Sequence, residues 1–109
     1  MPTNDKQAVG VFKKYLPVFN ALGSPIRQRI MFLLASGKRR SVIELAAETA
    51  LSRPAISHHL KILRDAKLVQ AEKDGVRLYY RPMFETPLRM SQDFTETLQK
   101  IIKEKEHHA

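Results

Sequence analysis

The sequence predicts a mainly α-helical fold with about five helices and one small β-hairpin. Three features lead to this prediction: apolar residues recur at spacings of three and four, capping signals precede these stretches, and strict alternation replaces the helical period after Lys67. The chain has 109 residues and no cysteine, and its 19 lysines and arginines outnumber 11 acidic residues. We therefore expect one domain over residues 1–109, with a modest core and no disulfide.

The first helix is expected over residues 6–22, with Asn4 or Asp5 as its cap. Pro17 lies within this segment and has no amide hydrogen to donate, so it should kink or split the helix. Spacings of three and four place one apolar stripe along it. The stripe comprises Ala8, Phe12, Tyr15, Leu16, Phe19 and Leu22.

Capping signals predict three further helices. Ser24 caps the second, Ser41 and Glu44 form a capping box at the start of the third, and Ser52 caps the fourth. The second helix should turn two basic residues outward, namely Arg27 and Arg29. The buried positions of the fourth helix are Ile56, Leu60 and Leu63, and its outward positions are Arg53, Ser57, His58, Lys61 and Arg64.

A β-hairpin is predicted after the fourth helix. Alternating segments at residues 68–73 and 76–81 flank Asp74-Gly75, which is typical of a two-residue type I′ turn. One face of the second strand should carry Val76, Leu78 and Tyr80, and the other should carry Arg77, Tyr79 and Arg81.

A last helix is expected to begin at Thr86-Pro87 and to fray over residues 103–109. Its apolar stripe is too pronounced for a lone terminal helix in water. Burial against the domain's own core would explain the stripe, but we favour a dimer seam between segments 1–23 and 86–105. The seam would use Phe12, Tyr15, Leu16, Phe19, Met90, Phe94, Leu98 and Ile101.

The positive charge is concentrated in one segment, because residues 24–81 carry +7 of the net +8. Two short helices joined by a tight turn, the second with a cationic outward face, are typical of a helix-turn-helix, and the hairpin would complete a winged helix-turn-helix. Such a helix fits the major groove of double-stranded DNA, so we expect a DNA-binding core over residues 24–82. Its candidate contacts are Arg39, Arg40, Ser41, Ser52, Arg53, Pro54, Ser57, His58, Lys61, Lys73 and Arg77.

Other function classes receive less support. The sequence has no phosphate loop and no nucleophile–base arrangement, so we predict no enzyme and no catalytic residue, and its apolar runs are too short to cross a membrane. His58 and His59 point about 100° apart on a helix, which argues against a shared metal ion. We expect His58 to contact DNA and His59 to pack or cap. A winged-helix module that binds protein without reading DNA is the alternative.

Three motifs resemble those of ArsR-type winged-helix regulators. Residues 51–69 match the recognition-helix signature with LSRPAISHHLKILRDAKLV, residues 21–30 match the entry into the second helix with ALGSPIRQRI, and residues 74–81 match the wing with DGVRLYYR. The resemblance covers residues 19–82. It implies a small, cytoplasmic, bacterial repressor that forms a homodimer through its first and last helices and leaves its operator when an effector binds.

The chain departs from the metal-sensing members of that family. Many of them carry Cys-x-Cys-Asp where this chain has Ser41-Val42-Ile43-Glu44, and the absence of cysteine excludes soft-metal or thiol sensing. The family's second metal site would correspond to Ser91, Asp93, Glu104 and His107. We predict solvated side chains there rather than a weak hard-cation site, and no bound cofactor. A small organic effector between the terminal helices stays an open alternative, and the sequence identifies no effector.

Overall fold

The computed structural model describes residues 3–108, with side chains described for residues 6–106. This part contains six helices and three strands: α1 (Thr3–Lys14), α2 (Leu16–Leu22), α3 (Pro25–Ala35), β1 (Arg40–Ser41), α4 (Val42–Thr49), α5 (Arg53–Asp65), β2 (Val69–Asp74), β3 (Arg77–Pro82) and α6 (Glu85–His108). The predicted mainly helical fold with a β-hairpin is confirmed. The structure adds one helix and one short strand to the prediction.

The chain is organised in two compact units. Residues Pro17–Phe84 form the core unit, and the described residues before and after it form the terminal unit. The core unit begins at Pro17, whereas the predicted DNA-binding core begins at residue 24; that functional division stays a prediction. Because Pro17 cannot donate to the carbonyl of Lys13, the predicted first helix splits into α1 and α2.

In the core unit, α3, α4, α5 and the base of the hairpin enclose a small apolar core. Helix α5 contributes one buried face with spacings of four and three, as the sequence predicted. The fully buried large side chains are Ile30, Leu34, Leu45, Ile56, Leu60, Leu63, Leu68 and Val69. This core fixes which face of α5 points outward.

Local hydrogen bonds at Ser41 and Ser52 set the starts of α4 and α5. The predicted capping box of α4 is present: the Ser41 hydroxyl accepts from the Glu44 amide, and the Glu44 carboxylate accepts from the Ser41 amide. Helix α4 ends at Thr49, and the left-handed conformation of the next residue, Ala50 (φ 58°), turns the chain sharply. The Ser52 hydroxyl then accepts from the Ala55 amide at 3.2 Å, which caps α5 as predicted.

The three strands form an antiparallel sheet in the order β1-β3-β2, in which Arg40 of β1 pairs with Tyr80 of β3. The hairpin pairs Asp74 with Arg77, so its loop is Gly75-Val76 and the predicted Asp74-Gly75 turn is wrong by one residue. Gly75 has a φ of 63° at the first loop position. This is the one position at which a type II′ turn needs a positive φ, so the loop fits that turn type.

In the terminal unit, α1 packs against α6. The rings of Phe12 and Phe94 meet edge to face at 4.9 Å.

Two expectations about helix ends are wrong. Helix α1 begins at Thr3, so Asn4 and Asp5 lie inside it rather than capping it, and α6 continues to His108 instead of fraying from residue 103. The end of α6 is rich in lysine and glutamate, which are strong helix formers.

Candidate nucleic-acid interface

The outward face of α5 is exposed and cationic. Ile56, Leu60 and Leu63 anchor the opposite face in the core, so helical geometry turns the remaining side chains to the surface. We call this surface the α5 face; it consists of Arg53, Ser57, His58, Lys61 and Arg64, all exposed. Within residues 6–106, the two arginines and the lysine of the α5 face form no ion pair.

The first residues of α5 present polar groups beside the α5 face. Ser52 and Pro54 are both exposed, as a contact at a helix start requires. The Ser52 hydroxyl accepts from the Ala55 amide and keeps its own proton to donate. The helix start therefore offers a hydroxyl donor together with the positive end of the helix dipole.

Arg40 does not lie on this surface. Its side chain is only 10% exposed, and Nε donates to Glu48 Oε2 at 2.5 Å. Nη1 donates to the backbone carbonyl of Leu33, to Ser36 Oγ at 3.2 Å and to the Lys38 carbonyl at 3.0 Å. Arg40 therefore links the end of α3 to α4, and the predicted phosphate contact does not fit this geometry.

Ser41 is also withdrawn from the surface. Ser41 is 7% exposed, and its hydroxyl takes part in the capping box with Glu44. Hydrogen bonding from the Ser41 amide lowers the pKa of Glu44, so the carboxylate stays ionised and holds the cap. The structure therefore places Ser41 at the start of α4 as a cap, with its side chain turned inward.

A second set of basic residues, one on the hairpin and one just before β1, is paired with acidic residues of the hairpin. Arg39 pairs with Asp74 and with Glu72 at 3.5 Å, and its guanidinium lies 4.1 Å from the centre of the Tyr79 ring. Arg81 Nε donates to Glu72 Oε2 at 2.5 Å, which lowers the pKa of Glu72. We call this group the wing cluster; it consists of Arg39, Glu72, Asp74, Tyr79 and Arg81.

Two basic residues of the hairpin lie outside the wing cluster. Lys73 and Arg77 are exposed and form no ion pair with the described side chains. Lys73 is cross-strand from Leu78, on the face that carries Tyr80 at its base. At the tip, Val76 is 99% exposed, so the predicted apolar face joins the core only at Tyr80.

Arg27 has a role that the sequence did not reveal. It was predicted to face outward, but it turns back toward the end of α2, where Nε donates to the Ala21 carbonyl at 2.7 Å and Nη2 to the Asn20 carbonyl at 3.0 Å. Its Nη1 lies 3.3 Å from Nδ1 of His59. Arg29 is exposed, as predicted, and donates to the Glu48 carbonyl. The sequence held a signal for this contact. Arg27 lies two residues after the Gly23-Ser24-Pro25 turn, so its long side chain can reach back to the end of the preceding helix.

Asp93, one of the four residues predicted to be solvated rather than to bind a cation, is instead held by contacts within the terminal unit. The Tyr15 hydroxyl donates to the Asp93 carboxylate, and Lys14 lies 3.5 Å from the same oxygen. These contacts lower the pKa of Asp93, while the hydrogen bond to Asp93 raises the pKa of Tyr15. The described residues contain no cluster of metal-ligating side chains. The side chain of His107 lies outside the described residues, so the predicted absence of a metal there stays a prediction.

The predicted dimer residues fall into two groups. Tyr15 is buried, and Met90, Phe94 and Ile101 are partly buried. The remainder are 40–53% exposed and comprise Phe12, Leu16, Phe19 and Leu98. In the terminal unit, Val9 and Ile102 are exposed to a similar degree. Contacts within the chain therefore use only part of the stripe. None of the described helices could span a membrane.

Comparisons with known proteins agree with this geometry. Residues 24–71 match the family model described as bacterial regulatory protein, arsR family. A relative, the transcriptional repressor SdpR of Bacillus subtilis, is 36% identical over 63 residues, which are 58% of this chain and 69% of the relative.

Two solved structures are similar over most of the chain. An ArsR-like transcriptional regulator from Rhodococcus is 28% identical with a TM-score of 0.73, covering 91% of this chain and 89% of that one. A homodimeric winged helix-turn-helix DNA-binding domain from Mycobacterium bovis, a possible ArsR-family transcriptional regulator, is 26% identical with a TM-score of 0.66. That match covers 88% of this chain and 84% of the other.

Proposed function

Since this chain belongs to the arsR family of bacterial regulatory proteins and has their winged helix-turn-helix fold, we propose that it represses transcription as a homodimer bound to operator DNA. The family membership confirms the resemblance seen in the sequence, and it makes the chain a transcriptional regulator rather than an enzyme. Repression, dimerisation and the operator contacts are the proposal. Release by an effector and a cytoplasmic location stay predictions.

The observation that carries the proposal is the positive charge of the α5 face, which has no acidic partner among residues 6–106. An α-helix fits the major groove, and Arg53, near the start of α5, can donate two hydrogen bonds to a guanine. Ser57 and His58 can reach base edges, while Lys61 and Arg64 lie further along the helix and can neutralise phosphates. A protein-binding module would favour an apolar or acidic outward face instead.

The hairpin and the helix starts complete the proposed contact surface. Lys73 and Arg77 are exposed and would touch the DNA backbone beside the groove that α5 occupies. Ser52 and Pro54 would approach a phosphate at the start of α5. Arg40 and Ser41 are left out because both are buried, and Arg39 is left out because it is engaged in the wing cluster.

Dimerisation would cover the exposed apolar residues of the terminal unit. Side chains such as Phe12, Leu16 and Leu98 are about half exposed, and a second copy of the same stripe is self-complementary under twofold symmetry. The homodimeric Mycobacterium bovis domain supports this arrangement. Two symmetry-related α5 helices would then read half-sites about 34 Å apart, or a multiple of that spacing.

A salt titration of DNA binding tests the proposal. If each protomer neutralises several phosphates, the logarithm of the association constant should fall linearly with the logarithm of salt concentration, with a slope of about −0.9 per phosphate contact. A duplex of random sequence serves as probe, and sedimentation of the free protein gives its oligomeric state. A flat salt dependence, or no binding at low salt, would contradict the proposed function.

A further inference from the structure

Arg27 bridges the end of α2 and α5, because two of its nitrogen atoms contact α2 and the third contacts α5. Its Nε and Nη2 donate to the Ala21 and Asn20 carbonyls at the end of α2, where a cation is also favoured by the helix dipole. These two contacts fix the plane of the guanidinium. The remaining nitrogen, Nη1, then faces Nδ1 of His59 on α5 at 3.3 Å.

The chemistry of this contact requires a neutral histidine. An arginine side chain has only donors and stays protonated, so the ring nitrogen that faces it must carry a lone pair. His59 therefore has its proton on Nε2 and accepts at Nδ1. A second proton, on Nδ1, would make His59 positively charged. Two donors and two positive charges would then face each other where the hydrogen bond had been.

We propose that Arg27 is a positioning residue for DNA binding, which holds α5 through neutral His59 and releases it when His59 is protonated. The contact lies between two helices rather than on the DNA, so it would act on the orientation of the α5 face. The proposal rests on the proposed function, because it needs α5 to be the helix that binds DNA.

The direction of the pH dependence follows from the surroundings of His59. Burial lowers the pKa of His59, and the positive charges of Arg27 on α3 and of His58 on α5 lower it further. The folded protein therefore resists protonation of His59 more than the unfolded chain does. The stability that the neutral ring contributes is present above the unfolded pKa, near 6.5, and is lost as the pH falls through the folded pKa.

Acid should then weaken specific DNA binding. This direction is the opposite of the usual effect of acid on DNA affinity. Protonation of a histidine usually adds positive charge and strengthens the attraction to phosphates. His58 is exposed on the α5 face and is not the histidine that faces Arg27. The two neighbouring histidines are therefore matched controls for each other.

The experiment measures affinity at about pH 7.5 and about pH 5.5 for a duplex recovered by selection from random sequence. His59→Gln keeps an acceptor for Arg27 but cannot be protonated, so we expect the wild type to lose about five-fold more affinity on acidification than this variant. His58→Gln removes a proposed DNA contact and should weaken binding at both pH values, but it should keep the acid-induced loss. An equal change in wild type and His59→Gln would overturn the proposal.

Nitrogen NMR of the histidine rings provides the second readout. We expect Nδ1 of wild-type His59 to show the resonance of a hydrogen-bonded acceptor, and Arg27→Lys to shift it toward that of a free acceptor because an ammonium group cannot make the three contacts together. An unchanged Nδ1 resonance in Arg27→Lys would also overturn the proposal. Failure of the wild type to bind DNA at either pH would instead contradict the proposed function, while the ring spectra would still report the Arg27–His59 contact.

Discussion

The α5 face and the wing cluster carry the same kinds of basic side chain in opposite surroundings. On the α5 face, Arg53, Lys61 and Arg64 project into solvent without acidic partners in residues 6–106. In the wing cluster, Arg39 and Arg81 are paired with Glu72 or Asp74. Formal charge along the chain is therefore a poor guide to the charge that an external phosphate meets.

The difference separates two tasks of basic residues in the core unit. Paired arginines hold strands and helices in place, and Arg40 is the most buried example. Unpaired ones keep their donors for a ligand and attract it over a distance. The +7 of residues 24–81 is what remains after five acidic residues are subtracted, and four of those five pair with Lys38, Arg39, Arg40 and Arg81. Much of the remaining positive charge lies on α5 and at the hairpin tip.

The largest expected effect is on stability. Arg40→Ala removes the donor that links α3 to α4 and leaves buried acceptors unpaired, so the free energy of unfolding should fall by about 2 kcal/mol. Arg29→Ala is the matched control, because Arg29 is exposed and donates to the backbone carbonyl of Glu48, the residue whose carboxylate pairs with Arg40. Urea unfolding measures both. Equal losses would show that burial does not distinguish the two arginines.

The next effect is on affinity. Arg53→Ala should weaken binding to a selected duplex by about 1–3 kcal/mol, since it removes a bidentate base contact. Arg39→Ala removes the same formal charge from an exposed ion pair and should cost less than about 1 kcal/mol. Fluorescence anisotropy at one salt concentration compares them. A larger loss for Arg39→Ala would reverse the assignment of the two regions.

The smallest effect concerns the hairpin. Lys73→Ala should weaken binding to all sequences alike and reduce the salt slope by about 1, because it removes one phosphate contact. Arg81→Ala changes the same formal charge, but Glu72 already balances Arg81, so its salt slope should match that of the wild type. Identical slopes for the two variants would contradict the separation of Lys73 from the wing cluster.

The sequence predicted those elements of the fold that depend on neighbouring residues. The capping box at Ser41, the cap at Ser52 and the helix break at Pro17 all arise within a few residues. Strand β1 was missed because two residues show no period, and its pairing with β3 depends on the tertiary fold. The hairpin loop was misplaced because alternation assigns faces but leaves the turn position open.

The candidate site was harder to predict, because the partners that decide its chemistry are distant in sequence. Arg39 and Asp74 are separated by 35 positions, and Arg27 and His59 by 32. Helical period located the α5 face correctly, since exposure follows from the buried positions on the same helix. It could not show that Arg40 is buried.

The most direct test of the central claim is selection of bound sequences from a random duplex library by wild type and Arg53→Ala. The wild type should recover a pseudo-palindrome whose half-sites lie about one helical turn apart or a multiple of it, and Arg53→Ala should lose base preference at one position in each half-site. Recovery of no preferred sequence by the wild type, or of identical preferences by both proteins, would contradict recognition of DNA through the α5 face.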